Sequence, residues 1–348
     1  MKHNNIDYAK TLISYKNENL CLKGEKVVLV EGAKEGYLES DIIKTDLFDI
    51  TVGSWACITD QTRTCELQVR VCVEGKWSKY FTYGNWGLYL ENYYYNDEDE
   101  IAQIFVDEVM IKNGKKGEAI QYKVILRKEA EKSPELSLIC FNFRYKPVDS
   151  MEVAIDEGVD VTGLPMTVEY DVPRLNQNMV PVIGHEMCSA TTSCMLLKFH
   201  GLDFSENAKN YKHKDSWGEF EHSYVASLVA DPGHNMPTFG NWVYNTAVIG
   251  AFGFNAYVGR MGSWEEMKRH LAKVGPVGAS IKGDTGVYKT GGHLLVVIGY
   301  KKNEKGEEFV ICNDPNINER FGEGMFVRVE YPLEVFKKVW RGMAYIIE

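Results

Sequence analysis

The sequence predicts a two-domain protein in which an all-β sandwich is followed by an α+β domain. Up to about residue 145, short apolar runs alternate with turn signals and no helical pattern intervenes, which is typical of a β-sandwich. Beyond residue 167, helical patterns come first and strand patterns follow, as in an α+β domain. A chain of 348 residues is long enough for two domains.

We place the sandwich-like accessory domain at residues 1–150, a linker at 151–166 and the second domain at 167–348. The linker is predicted because the stretch from Lys146 to Pro165 has few long apolar runs and contains several glycines and prolines. The chain shows no internal repeat and no low-complexity tract.

The strands of the first domain are predicted from alternating side chains. Between Leu67 and Val73, apolar residues alternate with polar ones at the period of a half-buried strand, and Glu74-Gly75 signals the turn that follows. The aromatic stretch from Trp77 to Tyr95 has two interpretations. It could bind a glycan or a peptide, but core or edge packing is the commoner role of such residues. Similar strand signals occur at 27–30, 101–111, 120–126 and 136–143.

In the second domain, helices are predicted at Ser189–His200 and Trp264–Val274. Gly201 follows the first as a stop signal. Ser263 precedes the second as an N-cap, with Glu266 at the spacing of a capping box. Strands are predicted at 294–300, 308–312 and 325–330.

The composition excludes some kinds of partner. The net charge of −10 argues against a protein that holds nucleic acid through a basic face, and no apolar run is long enough to span a bilayer. The N-terminal residues lack the apolar core and cleavage site of a signal peptide. We therefore expect neither nucleic acid nor a membrane as partner. The compartment is unknown: a cytoplasmic location is the default, and an exported protein that has lost its signal would look the same.

Eight cysteines are scattered along the chain without a CxxC pair or a compact zinc-binding spacing. A chain of this length does not need disulfides to fold, so we expect buried, reduced thiols at seven of the eight positions. No metal site is predicted. The cysteines are Cys21, Cys57, Cys65, Cys72, Cys140, Cys188, Cys194 and Cys312.

Cys188 differs from the others because it opens a predicted helix. Unpaired backbone N–H groups and the helix dipole favour an anion at a helix N-terminus, so a thiol there is shifted towards the reactive thiolate. The same N–H groups can hold an oxyanion. Cys194 lies inside the same helix and has neither advantage. Position alone is a weak signal, because a cysteine beside a helix is usually a small core side chain.

A histidine and an aspartate are predicted to meet at the open end of a hairpin. His293 follows two glycines and precedes a buried strand, and Asp314 ends the next strand in an Asn-Asp-Pro turn. With the hairpin loop centred near Glu304, His293 lies opposite residue 315 or 316, which puts Asp314 beside it. Asp314 would then accept a hydrogen bond from one imidazole nitrogen and orient the ring, while the other imidazole nitrogen faces a thiol.

From about Thr167 to the end, the chain resembles the C39-like peptidases, a papain-like branch of the cysteine peptidases. Four motifs carry the resemblance, and it implies a papain-like fold and a Cys188–His293–Asp314 triad. It also implies that Gln177 helps to form the oxyanion hole, although Gln177 stands eleven residues before Cys188, a longer gap than the family usually has. The β-rich part resembles a module found ahead of such domains. The motifs are Val172-Pro-Arg-Leu-Asn-Gln177, the helix Cys188–Gly201, Gly291-Gly-His293 with its strand, and Asn313-Asp314-Pro315.

These observations predict a cysteine peptidase that cleaves a peptide or amide bond of a peptide or protein substrate through a thioester. The chemistry needs no metal and no cofactor. Three alternatives stay open. The same triad could transfer the acyl group to an amine, or the chain could be a ligand-binding protein whose peptidase-like half is inactive. A purely structural two-domain protein is the third, and it predicts a buried and inert Cys188.

Overall fold

The computed structural model describes residues 3–92, 95–145, 159–229 and 239–348, and the chain groups into two compact units. The predicted linker at 151–166 lies largely outside the described residues, and the predicted boundaries at 150 and 167 stay a prediction. The first unit contains the described residues up to 145 and the later segment Asn241–Gly259; the second contains residues 159–229, 239–240 and Arg260–Glu348.

The first unit is rich in antiparallel strands, as the sequence predicts. The predicted strand at 67–73 is the centre of a longer one, in which Leu67, Val69 and Val71 are buried. In chain order the elements up to residue 145 are β1 (Asn4–Tyr8), α1 (Ala9–Leu12), β2 (Lys16–Glu18), β3 (Leu20–Lys23), β4 (Lys26–Leu29), β5 (Glu35–Glu39), β6 (Ile43–Phe48), β7 (Ile50–Ile58), β8 (Arg63–Val73), β9 (Lys76–Trp77), β10 (Phe81–Trp86), β11 (Asp97–Glu98), β12 (Ala102–Phe105), β13 (Glu108–Ile111), β14 (Gly117–Lys128) and β15 (Glu135–Arg144).

These strands form two sheets. One has the order β11-β12-β13-β7-β15-β4-β3, with β1 also paired to β15; the other has the order β10-β8-β14-β5-β2, with β6 and β9 paired to β14 and β8. The tight β8–β9 hairpin turns at Glu74 and Gly75, whose φ angles of 51° and 76° match the primed turns favoured between strands. In the aromatic stretch, Phe81, Tyr83 and Trp86 are buried, so these three rings are core residues.

The second half of the chain adds the remaining helices and a third sheet. Short 3-10 turns at Gln177–Met179, Gly184–Glu186 and Glu319–Phe321 lie between the regular elements. The regular elements are β16 (Thr167–Glu169), α2 (Cys188–Phe199), α3 (Ser205–Ala208), α4 (Lys214–Trp217), α5 (Glu221–Val229), α6 (Trp242–Ala251), β17 (Ala256–Arg260), α7 (Trp264–Lys273), β18 (Val277–Asp284), β19 (Lys289–Lys302), β20 (Glu308–Asn313), β21 (Arg328–Pro332), α8 (Leu333–Val339) and β22 (Trp340–Ile347).

Helix α6 belongs to the first unit, although it begins nearly a hundred residues after β15 ends. It packs on β7, where a Cβ added at Gly250 would stand 2.8 Å from the Cα of Ala56, so only glycine allows this close approach. The Tyr244 hydroxyl donates to the backbone oxygen of Tyr83 at 2.8 Å. The N-terminus of α6 is held by the Asp107 carboxylate, which accepts from the Trp242 N–H at 2.6 Å.

In the second unit, an antiparallel sheet carries the buried helix α2. The strands follow the order β22-β18-β19-β20-β21, and β16 pairs with β19. Helix α2 packs on β18 and β19, and residues 189–197 are all buried. The sequence placed its start one residue late, because Cys188 is already helical. Gly201, with a φ of 90°, follows the helix end as predicted.

The capping and pairing predictions of this unit are confirmed in outline. The Ser263 hydroxyl accepts from the Glu266 N–H at 3.1 Å and caps α7. Strands β19 and β20 form the predicted hairpin, with Val296 opposite Asn313. The strand predicted at 325–330 begins later, at Arg328. In the described parts of the chain, no helix is long and apolar enough to cross a membrane.

Candidate active site

Cys188 stands at the first position of α2, where the backbone N–H groups of a helix have no partner within the helix. Its thiol is only half-buried, whereas Cys194 one and a half turns further along is fully buried. The backbone N–H groups of Ser189 and Leu294 help to lower the pKa of the Cys188 thiol. The helix start and the neighbouring part of β19 therefore both favour the thiolate.

His293 lies between Cys188 and Asp314. Its Nε2 is 2.8 Å from Asp314 Oδ1. The His293 and Cys188 side chains are near enough that each shifts the pKa of the other. Since Nε2 is engaged by Asp314, Nδ1 is the nitrogen left for the sulfur. Continuing the observed pairing of Val296 with Asn313 puts His293 opposite residue 316, so the register predicted from the loop centre holds. The hairpin brings together the residues that the sequence singled out.

The protonation states of these groups depend on one another. Burial raises the pKa of the Cys188 thiol, but the neighbouring His293 charge and hydrogen bonds outweigh burial and lower it below its ordinary value. Burial lowers the pKa of His293, but the charges of Asp314 and Cys188 outweigh it and raise the pKa to about 10. These two shifts both favour a thiolate beside an imidazolium over the neutral pair, and the thiolate is the nucleophilic form of the cysteine.

Asp314 is a fully buried carboxylate with four hydrogen-bond donors. Oδ2 accepts from the hydroxyls of Tyr288 at 2.6 Å and Tyr331 at 2.8 Å, and Oδ1 accepts from His293 and from the Asn316 N–H at 2.9 Å. Burial raises the pKa of Asp314, but the His293 charge and these donors outweigh burial and lower it. Asp314 is therefore an acceptor that can fix the imidazole orientation.

Neither tyrosine was identified from the sequence. Tyr288 ends the turn between β18 and β19, and Tyr331 lies on β21. Both side chains reach Asp314 because the strands that carry or flank these residues lie together in the folded sheet. No local motif in the sequence indicates this arrangement, so finding the two tyrosines requires the tertiary structure.

Gln177 lies next to the loop that carries Asp314. Its backbone N–H donates to the Pro315 carbonyl at 2.9 Å, and the Asn176 amide donates to the Ile317 carbonyl at 2.7 Å. The side chain of Gln177 is buried, and its Oε1 has no hydrogen-bond partner within the described residues. The structure thus brings Gln177 to the Asp314 loop, and its role as an oxyanion donor is a proposal taken up below.

Two valines beside this site adopt left-handed backbone conformations, with φ of 67° at Val182 and 59° at Val327. Such angles are unfavourable for β-branched residues and persist where surrounding contacts impose them. The Val327 carbonyl accepts from the Asp314 N–H, and its N–H donates to the Ile317 carbonyl, both at 2.9 Å. Val182 lies in the segment between Gln177 and Cys188. Strain of this kind clusters at functional sites.

A cavity of about 460 Å³ opens beside the segment that precedes Gln177. At its rim, Met179 and Phe326 leave 55 % and 43 % of their surface exposed. His222 is buried in its wall and donates from Nε2 to the Asn176 carbonyl at 3.2 Å. Burial lowers its pKa to about 4, so it is neutral. The lining residues are Arg174, Leu175, Asn176, Met179, Ser205, Ala208, Lys209, Glu219, Phe220, Glu221, His222 and Phe326.

The other cysteines have different surroundings. Cys65, Cys194 and Cys312 are fully buried, and burial raises the pKa of each thiol well above its ordinary value. Six of the seven other thiols are buried, as predicted, while Cys21 is half-buried. Across the described residues, no group of three or more His, Cys, Asp or Glu side chains is arranged to hold a metal ion.

The comparisons with known proteins agree with this class of site. The Peptidase_C39 like family model matches residues 169–347, which is just over half of the chain. The chain therefore belongs to the C39-like peptidase family, and its C-terminal part has the family's papain-like fold, preceded by a β-rich region.

Among solved structures, the chain is similar to a C39-like peptidase from Bacillus anthracis, at 15% identity and a TM-score of 0.36, over 52% of this chain and 98% of that one. It is also similar to bromelain from Ananas comosus, at 15% identity and a TM-score of 0.30, over 53% and 99% of the two chains. A stem bromelain precursor gives 18% identity and a TM-score of 0.33, over 58% and 74%. No curated protein matches the sequence.

Proposed function

We propose that the chain is a cysteine peptidase that hydrolyses a peptide or amide bond through Cys188, His293 and Asp314. The observation that carries the proposal is the position of His293, whose Nε2 is 2.8 Å from the Asp314 carboxylate and whose charge lowers the pKa of the Cys188 thiol. Membership of the C39-like peptidase family supports the same chemistry. Neither the thiol nor the imidazole would need a metal or a cofactor to act.

The proposed reaction has two halves. The Cys188 thiolate attacks the acyl carbon, and the His293 imidazolium gives its proton to the leaving amine, which leaves a thioester. His293, now neutral, takes a proton from water, and the resulting hydroxide cleaves the thioester and restores the thiol pair. Asp314 holds the imidazole and stabilises its charged form. The Cys188 backbone N–H and the Gln177 side chain stabilise the oxyanion.

The first test is selective labelling of the thiols. Iodoacetamide at pH 6 should modify Cys188 in the native protein, and Cys188→Ala should abolish both this labelling and peptide hydrolysis. Cys194→Ala is the matched control, because it removes a thiol from the same helix and should leave both unchanged. Full labelling of the Cys188→Ala variant, with hydrolysis retained, would contradict the proposal.

We propose a peptide or protein substrate with an apolar side chain that enters the cavity beside Asn176. The cavity volume of about 460 Å³ is in the range of ligand sites, and Met179 and Phe326 give it an exposed apolar rim. Its wall continues into Gln177 and, through the Pro315 hydrogen bond, into the Asp314 loop.

The substrate proposal is tested with peptide libraries that vary one position at a time. Met179→Ser and Phe326→Ser should raise KM for peptides with an apolar side chain at one position, by about tenfold, and leave Cys188 alkylation unchanged. Met166→Ser is the control, since Met166 is 65 % exposed and does not line the cavity. Equal selectivity in all three variants would show that the cavity holds no substrate side chain.

The same triad could pass the acyl group to an amine instead of water. Product analysis with and without an added primary amine separates the two reactions: an amide product would indicate acyl transfer, and the free acid alone would indicate hydrolysis. A binding protein with an inactive peptidase-like half would show neither product. The depressed pKa of Cys188 favours an active thiol over that alternative.

For the first unit we propose an accessory β-sandwich domain that precedes the peptidase domain and binds a glycan or a peptide. Ring stacking of Tyr122 in one sheet on Phe141 in the other, at 5.3 Å, supports packing of the two sheets as in a sandwich. The full-length Cys188→Ala variant, which cannot consume a peptide ligand, can be applied to glycan and peptide arrays. Specific retention would support the ligand proposal, and its absence on both arrays would count against it.

A further inference from the structure

The carboxylate of Asp314 has its hydrogen-bonding capacity filled. An ionised carboxylate has about four lone-pair positions. Two are taken on Oδ2 by the tyrosine hydroxyls and two on Oδ1 by His293 and the Asn316 N–H. Rotation of the carboxylate about its Cβ–Cγ bond would break all four hydrogen bonds, so Oδ1 stays directed at His293.

Burial works against the ionised form of this carboxylate. A fully buried carboxyl group without donors takes up a proton, because the charged form loses its hydration. If Asp314 did so near neutral pH, it would no longer stabilise the imidazolium of His293. Besides the histidine, three donors hold the carboxylate. One is the Asn316 N–H, and the other two are the tyrosine hydroxyls.

We propose that Tyr288 and Tyr331 are positioning residues of the proposed reaction, which hold Asp314 ionised and aimed at His293 through its Oδ2 atom. This inference rests on the proposed function, and neither tyrosine takes part in bond making or breaking. Their effect passes from Asp314 to His293 and from His293 to the Cys188 thiolate. The tyrosines thereby extend the basic end of the pH range in which the thiolate has an imidazolium beside it.

The two tyrosines are placed differently. Tyr331 is only 2 % exposed, so it cannot contact a substrate. Tyr288 is less buried, and its ring stands edge-on to the His293 ring, with centroids 5.8 Å apart and planes at 88°. Tyr288 therefore also forms a wall beside the imidazole. Tyr331→Phe is the cleaner test, because it removes one hydroxyl and nothing that a substrate could touch.

The test measures the rate of Cys188 alkylation by iodoacetate between pH 5 and 11, which requires no substrate. The negative charge of iodoacetate is attracted by the imidazolium, so the rate falls on the basic limb, where His293 loses its proton. In Tyr331→Phe the weakened carboxylate stabilises the imidazolium less, so His293 loses its proton at a lower pH. We expect the basic limb to move down by about one pH unit, with a slower reaction above it. Turnover should fall through kcat, with KM nearly unchanged.

Tyr300→Phe is the matched control. Tyr300 is equally buried in β19, but its hydroxyl donates to the Pro165 carbonyl at 2.9 Å and not to Asp314. It should leave the basic limb where it is in the unmodified protein. Far-ultraviolet circular dichroism and Tm show whether Tyr331→Phe folds. If it does not, Tyr288→Phe replaces it in the same experiment, and the same shift is expected.

A double-mutant comparison separates positioning from a general structural role. In the Asp314→Asn background, the Tyr331 hydroxyl has no carboxylate to hold, so Tyr331→Phe should cause no further shift of the basic limb. An unchanged or raised basic limb in both tyrosine variants, or an equal shift in the Asp314→Asn background, would overturn the inference. If the unmodified protein shows no reactive thiol at all, the proposed function fails instead, so the two failures are distinguishable.

Discussion

Each unit of the molecule contains a buried aspartate with a different protonation behaviour. In the first unit, burial and the nearby Glu108 raise the pKa of Asp107 to about 7, although backbone N–H groups at the start of α6 donate to it. In the second unit, Asp314 is buried at least as completely, yet its pKa is lowered. Burial therefore does not decide the charge of a carboxylate by itself.

The difference lies in what surrounds each carboxylate. Asp314 faces a cationic imidazole and two hydroxyl donors, whereas Asp107 has backbone donors and a like charge nearby. An opposite charge at hydrogen-bonding distance can outweigh desolvation, but a few neutral donors beside another carboxylate do not. We infer that Asp107 is a structural cap that can be neutral, while Asp314 is held ionised for its effect on His293.

The largest expected effect comes from exchanging each aspartate for asparagine and measuring the reactivity of Cys188. Asp314→Asn removes the charge that raises the pKa of His293, so the thiolate becomes scarcer and the imidazole loses its fixed orientation. We expect kcat to fall by about a hundred- to ten-thousandfold. Asp107→Asn, assayed alongside for peptide hydrolysis and alkylation, should leave the rate within about twofold. Similar losses in both variants would break the comparison.

The contrast between the two sites also shows what the sequence could predict. Cys188 and Asp314 were found because their positions follow from local rules, the start of a helix and the arithmetic of one hairpin. The same arithmetic gave the register that brings His293 to Asp314. The predicted start of α2 was one residue late, because no capping side chain marks the true start.

Contacts between residues far apart in the chain could not be predicted. Asp107 caps a helix 135 residues away, and nothing in the sequence around Asp107 indicates that partner. The assignment of α6 to the first unit depends on the same long-range packing. Tyr288 and Tyr331 reach Asp314 only after three strands have assembled. Propensities and periodicities describe single elements, so they do not determine which distant elements meet.

A second, smaller effect concerns stability as a function of pH. The pKa of Asp107 is about 7 in the folded chain and about 4 in an unfolded one, so the folded state binds its proton more tightly. The stability contributed by that proton is fully present below about pH 4 and is lost as the pH rises towards 7. Between pH 5 and 7, the free energy of unfolding should therefore fall relative to Asp107→Asn by on the order of 2 kcal/mol.

Urea unfolding of both proteins at a series of pH values checks this slope. Asp314→Asn is the control of opposite sign, because a carboxylate whose folded pKa is lowered contributes stability that is lost as the pH falls. The difference in free energy of unfolding between the unmodified protein and Asp314→Asn should not decline between pH 5 and 6.5. A flat difference for Asp107→Asn would mean that Asp107 is already ionised when folded, like Asp314.

The smallest expected effect tests the like charge beside Asp107. Glu108 is half-exposed, so its influence is partly screened by solvent, and Glu108→Gln should lower the pKa of Asp107 only in part. At pH 7.5 we expect a gain in the free energy of unfolding of less than about 1 kcal/mol. Glu25→Gln, which removes an equal charge from an exposed position of the first unit, should give no such gain. The gain should also vanish in the Asp107→Asn background, since the repulsion needs both carboxylates. If it persists there, Glu108 destabilises the first unit by another route, and the raised pKa of Asp107 follows from burial alone.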